Sequence, residues 1–441
     1  MLSANFHNLF EIHINKAEHG LSEEEFTSFN SQFEHYKQLI LSRNQGFLDL
    51  GEQPENIQKI NDYSKTVEGK FSDIVILGIG GSMLGPITIL DALVRNQKLP
   101  KVHCLDNIDP VLIAEIAHKI DLKKTLFLVQ TKSGETPETL AQYLYFRDLL
   151  QKADLDVKNH FVFITDPHKG YLRKVATAEN IPTFDIPENV GGRFSVLTPV
   201  GLLIAALVGL DISQLLEGAR DAKIKYFDKN DFCAYKLAVS QFILNLKGKN
   251  ITVLMPYSSQ LKTMATWYTQ LLSESTGKKF NLDKQEVYTG LTPLPALGVT
   301  DQHSQLQLFQ EGPNNKFIVF LEVENFDTTI QIPTENDSLN TNQTMGQDSN
   351  SDSLAIFNSK SFNQLLKAEL EGTKASLTES LRPNISLRIN KINEYNLGEI
   401  FMFLQISVAF LGELLQIDTY NQPGVERSKI LAKQNLLAAN N

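Results

Sequence analysis

The sequence predicts an α/β protein built as two units, each a parallel sheet flanked by helices, with helical segments at both ends. Three observations carry this expectation. Short β-branched and apolar runs alternate with amphipathic ones along most of the chain, the pattern of strands joined by helical crossovers. The first of these runs, residues 74–77 (IVIL), breaks directly into the glycine loop GIGGSMLG and then into another apolar run. That order reads as a buried strand, a tight loop and a helix. The alternation begins afresh at residues 251–255 (ITVLM), so the two halves read as copies of one architecture.

Length and composition agree with this class. A chain of 441 residues has room for two or three domains, and 42% hydrophobic with 21% charged residues is an ordinary globular balance. The formal charge of −10 argues against nucleic acid as a general partner. An anionic ligand must then be met by a local cationic cluster, which makes each positive residue in a motif informative. Cys104 and Cys233 fall in no metal or redox spacing, and two cysteines make no disulfide framework. The opening MLSANFHNLFEIHINKAEHG carries Glu11, Lys16 and Glu18 where an export signal needs an apolar run, so a cytoplasmic setting is expected. The longest apolar stretch, 400–415, is interrupted by Gln405 and Glu413 and is short for a membrane span. It reads as a buried core helix, and no membrane partner is expected.

Taken in order, residues 1–66 form a polar arm of helical pattern. A first α/β unit follows over 67–209: strands at 74–77, 102–105, 125–130 and 160–165 alternate with helices at about 86–96, 111–119 and 137–150. The second unit, 210–395, has strands at 251–255, 317–323, 328–332 and 385–389, and a helix at about 260–276 that Gly277 closes. Residues 334–352, TENDSLNTNQTMGQDSNSD, are polar and low in complexity, and read as an exposed excursion. Residues 396–441 form a helical C-terminal segment.

The candidate chemistry begins at the first glycine loop. Gly78, Gly80, Gly81 and Gly85 surround one hydroxyl, Ser82, just ahead of a helix N-terminus. Glycine lets backbone N–H groups approach a ligand, and the helix dipole favours an anion. The loop is neither familiar nucleotide motif. A dinucleotide fingerprint from Gly78 meets Met83 at its sixth position, and a P-loop from Gly80 meets Pro86 where lysine belongs. A strand-to-helix turn without a ligand is the plain alternative.

A second loop, TKSGETPET, follows the 125–130 strand. Thr136 suits the N-cap and Pro137 the first turn of the next helix, which leaves Thr131, Lys132 and Ser133 as a hydroxyl-rich loop at the carboxyl end of a strand. Ligands of open α/β sheets bind at that edge, and hydroxyls, free N–H groups and a lysine suit a phosphate dianion. Capping and turn chemistry alone would account for Thr136 and Pro137 but not for the cluster ahead of them. Glu135 is expected to point away from any anion.

Four further motifs complete the set. In VGGRFSVLTP, two glycines precede Arg193, whose planar fork can stabilise an oxyanion or, equally, pin a loop by its carbonyls. Glu274 ends a helix, where the dipole disfavours negative charge and so favours base behaviour, although Lys278 and Lys279 can cancel this; a solvated surface charge is the alternative. His303, in GVTDQHSQLQ, is a proton-shuttle candidate or a capping residue. Its neighbour Asp301 lacks the further His, Cys or Asp partners of a metal site. In NQPGVERSK, Asn421 suits an N-cap, Pro423 a first turn, and Lys429 lies about two turns in, where its ammonium can meet a sugar oxygen or phosphate or simply be solvated.

Together GIGGSMLGP, TKSGETPET, VGGRFSVLTPVGLL, the run from Trp267 to Lys278, DQHSQLQ and QPGVERSK resemble, in order and spacing, the motifs of the glucose-6-phosphate isomerase family in its compact bacterial form. The resemblance spans residues 74–429 and implies two sugar-isomerase (SIS) α/β sandwich domains. It implies that Thr131, Ser133, Thr136 and the Lys132 backbone hold a substrate phosphate beside Gly81 and Ser82. It also implies Glu274 as the base between C1 and C2, Arg193 as the stabiliser of an enediolate, His303 and Lys429 in ring opening, and Gln422 against the sugar. A homodimer with His303 supplied across the interface follows from the same resemblance. The chain departs from the family's common pattern at Ser428, where glycine is usual, and at Glu135, where threonine is frequent; neither removes a chemical group. No cofactor or metal is expected, and base-mediated proton transfer is favoured over a metal-assisted hydride shift. The alternatives are a sugar-phosphate sensor without catalysis and an isomerase of mannose 6-phosphate or a related ester.

Overall fold

The computed structural model of the chain describes residues 2–14, 19–95, 100–229, 231–333 and 355–438. In chain order the strands are β1 (Ser3–Asn5), β2 (Asp73–Leu77), β3 (Lys101–Leu105), β4 (Thr125–Gln130), β5 (Phe161–Thr165), β6 (Thr183–Asp185), β7 (Ile251–Pro256), β8 (Lys278–Phe280), β9 (Glu286–Thr289), β10 (Thr292–Pro295), β11 (Lys316–Val323) and β12 (Asn384–Ile389). They form two five-stranded sheets and a small β8–β9 hairpin. The first sheet is wholly parallel, in the order β3-β2-β4-β5-β6. The second runs β1-β12-β11-β7-β10 and is parallel except for β1.

Counted within each unit, both sheets share one winding. The first strand (β2 or β7) lies between the second (β3 or β10) and the third (β4 or β11), with the fourth (β5 or β12) beyond. The expectation of two similar halves is therefore met at the level of strand order. In such sheets the chain reverses direction of travel between the first and third strands, and ligands bind outside their carboxyl ends. In the first sheet that edge carries both the glycine loop after β2 and the hydroxyl loop after β4.

Strand side chains alternate between two cores, as a sheet covered on both faces requires. Ile74, Ile76, Leu126 and Leu128 join a large core shared with the second sheet, whereas Val75, Leu77, Phe127 and Val129 face a separate core beneath the helices of the first unit. The helix Glu394–Leu414 is long and apolar enough to cross a membrane, but it lies buried inside the protein. It packs closely on the helix Ile212–Lys223 because a Cβ at Gly218 would meet the Tyr395 carbonyl oxygen at 1.9 Å, and one at Gly398 the Leu215 carbonyl oxygen at 1.9 Å. Its polar interruptions are stitches. Glu413 accepts two bonds from Arg43 at 2.8 and 2.9 Å, Gln405 Nε2 donates to the Phe194 carbonyl at 3.0 Å, and Glu399 accepts from the Leu2 N–H at 2.8 Å.

Several expectations are corrected. The N-terminal arm is not wholly helical, since β1 pairs antiparallel with β12 and caps the edge of the second sheet. Residues 328–332 form no strand. Gln331 makes one isolated bridge to Ser361, and Ile332 N–H donates to the Lys360 carbonyl at 2.9 Å, so this stretch pairs with the approach to the helix Phe362–Glu379 and leaves Ile330 exposed. Gly277 follows the helix Lys262–Thr276 as expected but with φ −70°, not left-handed. The excursion expected at 334–352 lies outside the described residues. β6, β10 and the β8–β9 hairpin carry no clear strand signature in sequence. β10 reads TPLP, and its two prolines are tolerated because it lies at a sheet edge.

Candidate active site

The parallel register of β2 and β4, with Leu77 opposite Val129, sets the two loops that follow them side by side. Gln130, the last residue of β4, donates from Nε2 to the Ser82 carbonyl at 3.1 Å and so ties the loops together. In the hydroxyl loop, Thr131 Oγ1 lies 2.6 Å from Thr136 Oγ1 and 3.3 Å from Ser133 Oγ. Thr136 occupies the N-cap position of the helix Pro137–Lys152, yet its hydroxyl makes no capping bond. Capping therefore does not explain the hydroxyl cluster. Lys132 turns its ammonium to the Glu188 carbonyl at 2.8 Å, and burial lowers its pKa against the pull of Asp166 and Glu188. Its side chain is thus committed away from the loop. Glu135 is exposed, while its N–H donates to Ser133 Oγ at 3.1 Å.

The glycine loop leads to the second half of the site. A Cβ on Gly81 would come within 2.3 Å of the Gly192 carbonyl oxygen, so only glycine lets this loop lie against the turn Gly192–Leu197 that carries Arg193. On the other side, a Cβ on Gly80 would meet Gln270 Nε2 at 3.1 Å. Gln270 sits one helical turn before Glu274 and donates to its Oε1 at 2.8 Å.

Arg193 is only 3% exposed and binds five residues distant in sequence. Nε donates to Ser275 Oγ at 2.8 Å, Nη1 to Glu274 Oε2 at 3.2 Å and to Gln422 Oε1 at 3.0 Å, and Nη2 to the Asn421 carbonyl at 3.2 Å and to the Thr419 carbonyl. The fork pins a loop by its carbonyls, one of the two readings of this residue, and it also meets the Glu274 carboxylate. Burial lowers its pKa while Glu274 opposes the change. Lys278, 7% exposed, donates to the Glu274 carbonyl at 2.7 Å and to the Asn421 carbonyl at 2.5 Å. Burial, then Arg193, pushes it down to about 8 against Asp418 and Glu274. Two cations, Arg193 and Lys278, thus face two carboxylates, Glu274 and Asp418, and the Arg193 fork stands beside the Glu274 oxygen where it can meet an anion.

Glu274, Arg193 and Gln422 are thus brought together, and Gly81, Ser82, Thr131, Lys132, Ser133 and Thr136 line the adjoining loops. Among the described contacts, neither His303 nor Lys429 touches this cluster. His303 is exposed at the end of the turn Thr300–His303, while the two residues before it are held: Asp301 accepts from Leu297 N–H at 2.7 Å and Ser304 Oγ at 2.6 Å, and Gln302 accepts from Tyr257 Oη at 2.8 Å. Lys429 lies on the fully exposed helix Glu426–Ala438 and pairs with Glu426 at 2.8 Å. Among the described residues no group of three His, Cys, Asp or Glu side chains is placed to hold a metal ion. Gln270 and Lys278 are the residues that sequence reasoning passed over as site components. The signal for both was their i−4 and i+4 spacing from Glu274.

The two sheets do not carry equal sites. At the carboxyl edge of the second, a cavity of about 480 Å³ is lined by Glu322, Glu324, Glu371, Arg388 and Tyr257. Three carboxylates stand there beside Arg388 and Lys367, where the first sheet offers glycines and hydroxyls, so the first is the better equipped for a phosphate.

This winding, repeated in two sheets with a glycine loop and a hydroxyl loop at one carboxyl edge, is the SIS-type α/β sandwich fold. A family model described as phosphoglucose isomerase matches residues 54–440. A glucose-6-phosphate isomerase of Carboxydothermus hydrogenoformans is 40% identical, over 97% of this chain and 93% of that one. A crystal structure from Thermus thermophilus, described as a hypothetical protein, superposes with a TM-score of 0.85 at 32% identity, covering 99% of this chain and 100% of that one. A glucose-6-phosphate isomerase structure from Chlamydia trachomatis shares the fold with a TM-score of 0.83 at 21% identity, covering 98% and 92%. The chain belongs to the phosphoglucose isomerase family.

Proposed function

We infer that the protein is an aldose–ketose isomerase interconverting D-glucose 6-phosphate and D-fructose 6-phosphate, a step of glycolysis and gluconeogenesis. The observation that carries this reading is the Arg193 guanidinium, which bonds the Glu274 carboxylate and the Gln422 amide at once beside the glycine loop. The Thr131, Ser133 and Thr136 hydroxyls, the Lys132 N–H and Ser82 hold the phosphate, with Gly81 giving the backbone room. That anchor places C1 and C2 over Glu274, which removes a proton from one carbon and returns it to the other. Negative charge gathers on the enediolate oxygens, where Arg193 lies ready. Gln270 holds the other carboxylate oxygen, and Gln422 contacts the sugar.

His303 and Lys429 open the sugar ring. Their placement on exposed elements supports a homodimer in which His303 enters the partner's site and the C-terminal helix finds its packing surface on assembly. That helix exposes Ile430, Leu431, Leu436 and Leu437, and the β8–β9 hairpin exposes Phe280 and Tyr288. Such apolar faces are uncommon on a monomer. The two sheets are taken as the cores of domains 67–209 and 210–395, between segments 1–66 and 396–441, and the enzyme as cytoplasmic.

The test is turnover of both hexose phosphates by the purified protein, wild type and Glu274→Gln. We expect conversion of glucose 6-phosphate with solvent hydrogen entering at C2, and a loss of about 10²–10⁴-fold in kcat in the variant with KM little changed. Near-normal turnover by Glu274→Gln would remove that residue as the base. Absence of solvent exchange over many turnovers would replace proton transfer by a hydride shift.

A further inference from the structure

We infer that Lys278 is a positioning residue: its ammonium ties the end of the Glu274 helix to the 419–422 segment, and so fixes Arg193, Gln422 and Glu274 as one constellation. The catalytic consequence rests on the isomerase reading above; the tie itself does not. Lys278 follows the helix Lys262–Thr276, and its side chain folds back to the Glu274 carbonyl, one of the last acceptors the helix leaves free. The same ammonium reaches the Asn421 carbonyl, which also accepts from Arg193. One backbone oxygen is therefore shared by two buried cations.

That sharing is what links position to chemistry. Gln422 directly follows Asn421, and its amide oxygen takes the same Arg193 nitrogen that bonds Glu274. Asp418 holds the segment from within, accepting from the Tyr420 N–H at 3.0 Å and from Asn421 Nδ2 at 2.6 Å. Without the ammonium, Arg193 is the charged anchor left among the described contacts that ties the segment to the rest of the site, and any drift of the segment moves the guanidinium with it. The charged groups facing the ammonium are Arg193 from the neighbouring turn, Glu274 at the end of its own helix, and Asp418 in the C-terminal segment. It makes no hydrogen bond to either carboxylate among the described contacts. The arrangement fits a lysine used to hold backbone more than one used to neutralise an acid.

The test uses full-length Lys278→Met, which removes every donor at nearly the same length, and Lys278→Arg, which keeps charge and donors. Hydrogen exchange of amides 418–424 is expected to quicken about tenfold in Lys278→Met and to stay near wild type in Lys278→Arg. For glucose 6-phosphate, kcat is expected to fall about tenfold or more in Lys278→Met with KM within about threefold, since the phosphate loop is untouched, and to recover in Lys278→Arg. Titration with inorganic phosphate should give wild-type affinity in both. A folded Lys278→Met with unchanged exchange in this segment overturns the proposal, whatever its activity. Should Lys278→Met not fold, Lys278→Gln, too short to span both carbonyls, is read in the same way. A wild-type protein that turns over neither hexose phosphate would sink the isomerase reading alone, and the exchange result would still decide the tie.

Discussion

At the scale of single residues, the site is a problem of buried charge. Arg193 and Lys278 are taken almost wholly out of water, and for both the loss of hydration outweighs the stabilisation from nearby acids. Lys278 has an ordinary value of 10.5 that the fold lowers to about 8. Between those two values the unfolded chain binds the proton and the folded chain does not, so stability rises with pH across that window. The contribution is fully present above 10.5 and is lost as pH falls through about 8. Urea unfolding of wild type and Lys278→Met at a series of pH values should therefore show their difference moving in favour of wild type between pH 7 and 10. A difference that does not change with pH would mean that the ammonium is not buried at a cost. At working pH the protein holds this cation against its own stability, as functional sites commonly do.

At the scale of elements, position comes from close approach. The glycine loop, the Arg193 turn and the Glu274 helix meet because Gly81 has no side chain. Gly81→Ala places a methyl group 2.3 Å from the Gly192 carbonyl, which forces the Arg193 turn outward. Overpacking of this kind costs about 1–3 kcal/mol. The expected outcome is a lower urea midpoint together with a reduced kcat; a variant with wild-type kcat would show that the turn tolerates displacement. Much of this level was legible beforehand. The strands 125–130 and 251–255, the strand–glycine–helix order and the loop after β4 all follow from local pattern. The strand expected at 328–332 was not, because TTIQI has the alternation of a strand while the edge it would need is already taken by β1 and β10.

At the scale of the whole molecule, one chain brings Glu274, Arg193 and Gln422 together, while among the described contacts His303 and Lys429 do not touch them. Mixed dimers test the reading directly. If His303 acts across the interface, His303→Ala and Glu274→Gln, each inactive alone, rebuild one complete site per mixed dimer. Equal mixing with free exchange of subunits should then recover about a quarter of wild-type activity. No recovery from demonstrated mixed dimers would place His303 in its own chain's site or in none.

The sequence by itself determined the class of fold, the order of the strands' appearance and which residue types carry chemistry, because these depend on local periodicity and on side-chain identity. It could not say that the Arg193 fork bonds Glu274 and Gln422 together, that Gln130 ties one loop to the other, or that Lys278 is a buried tie instead of a charge beside a helix end. Those facts needed the tertiary structure, since they arise where segments separated by up to 229 positions meet out of water. There, exclusion of solvent converts ordinary polar side chains into fixed partners.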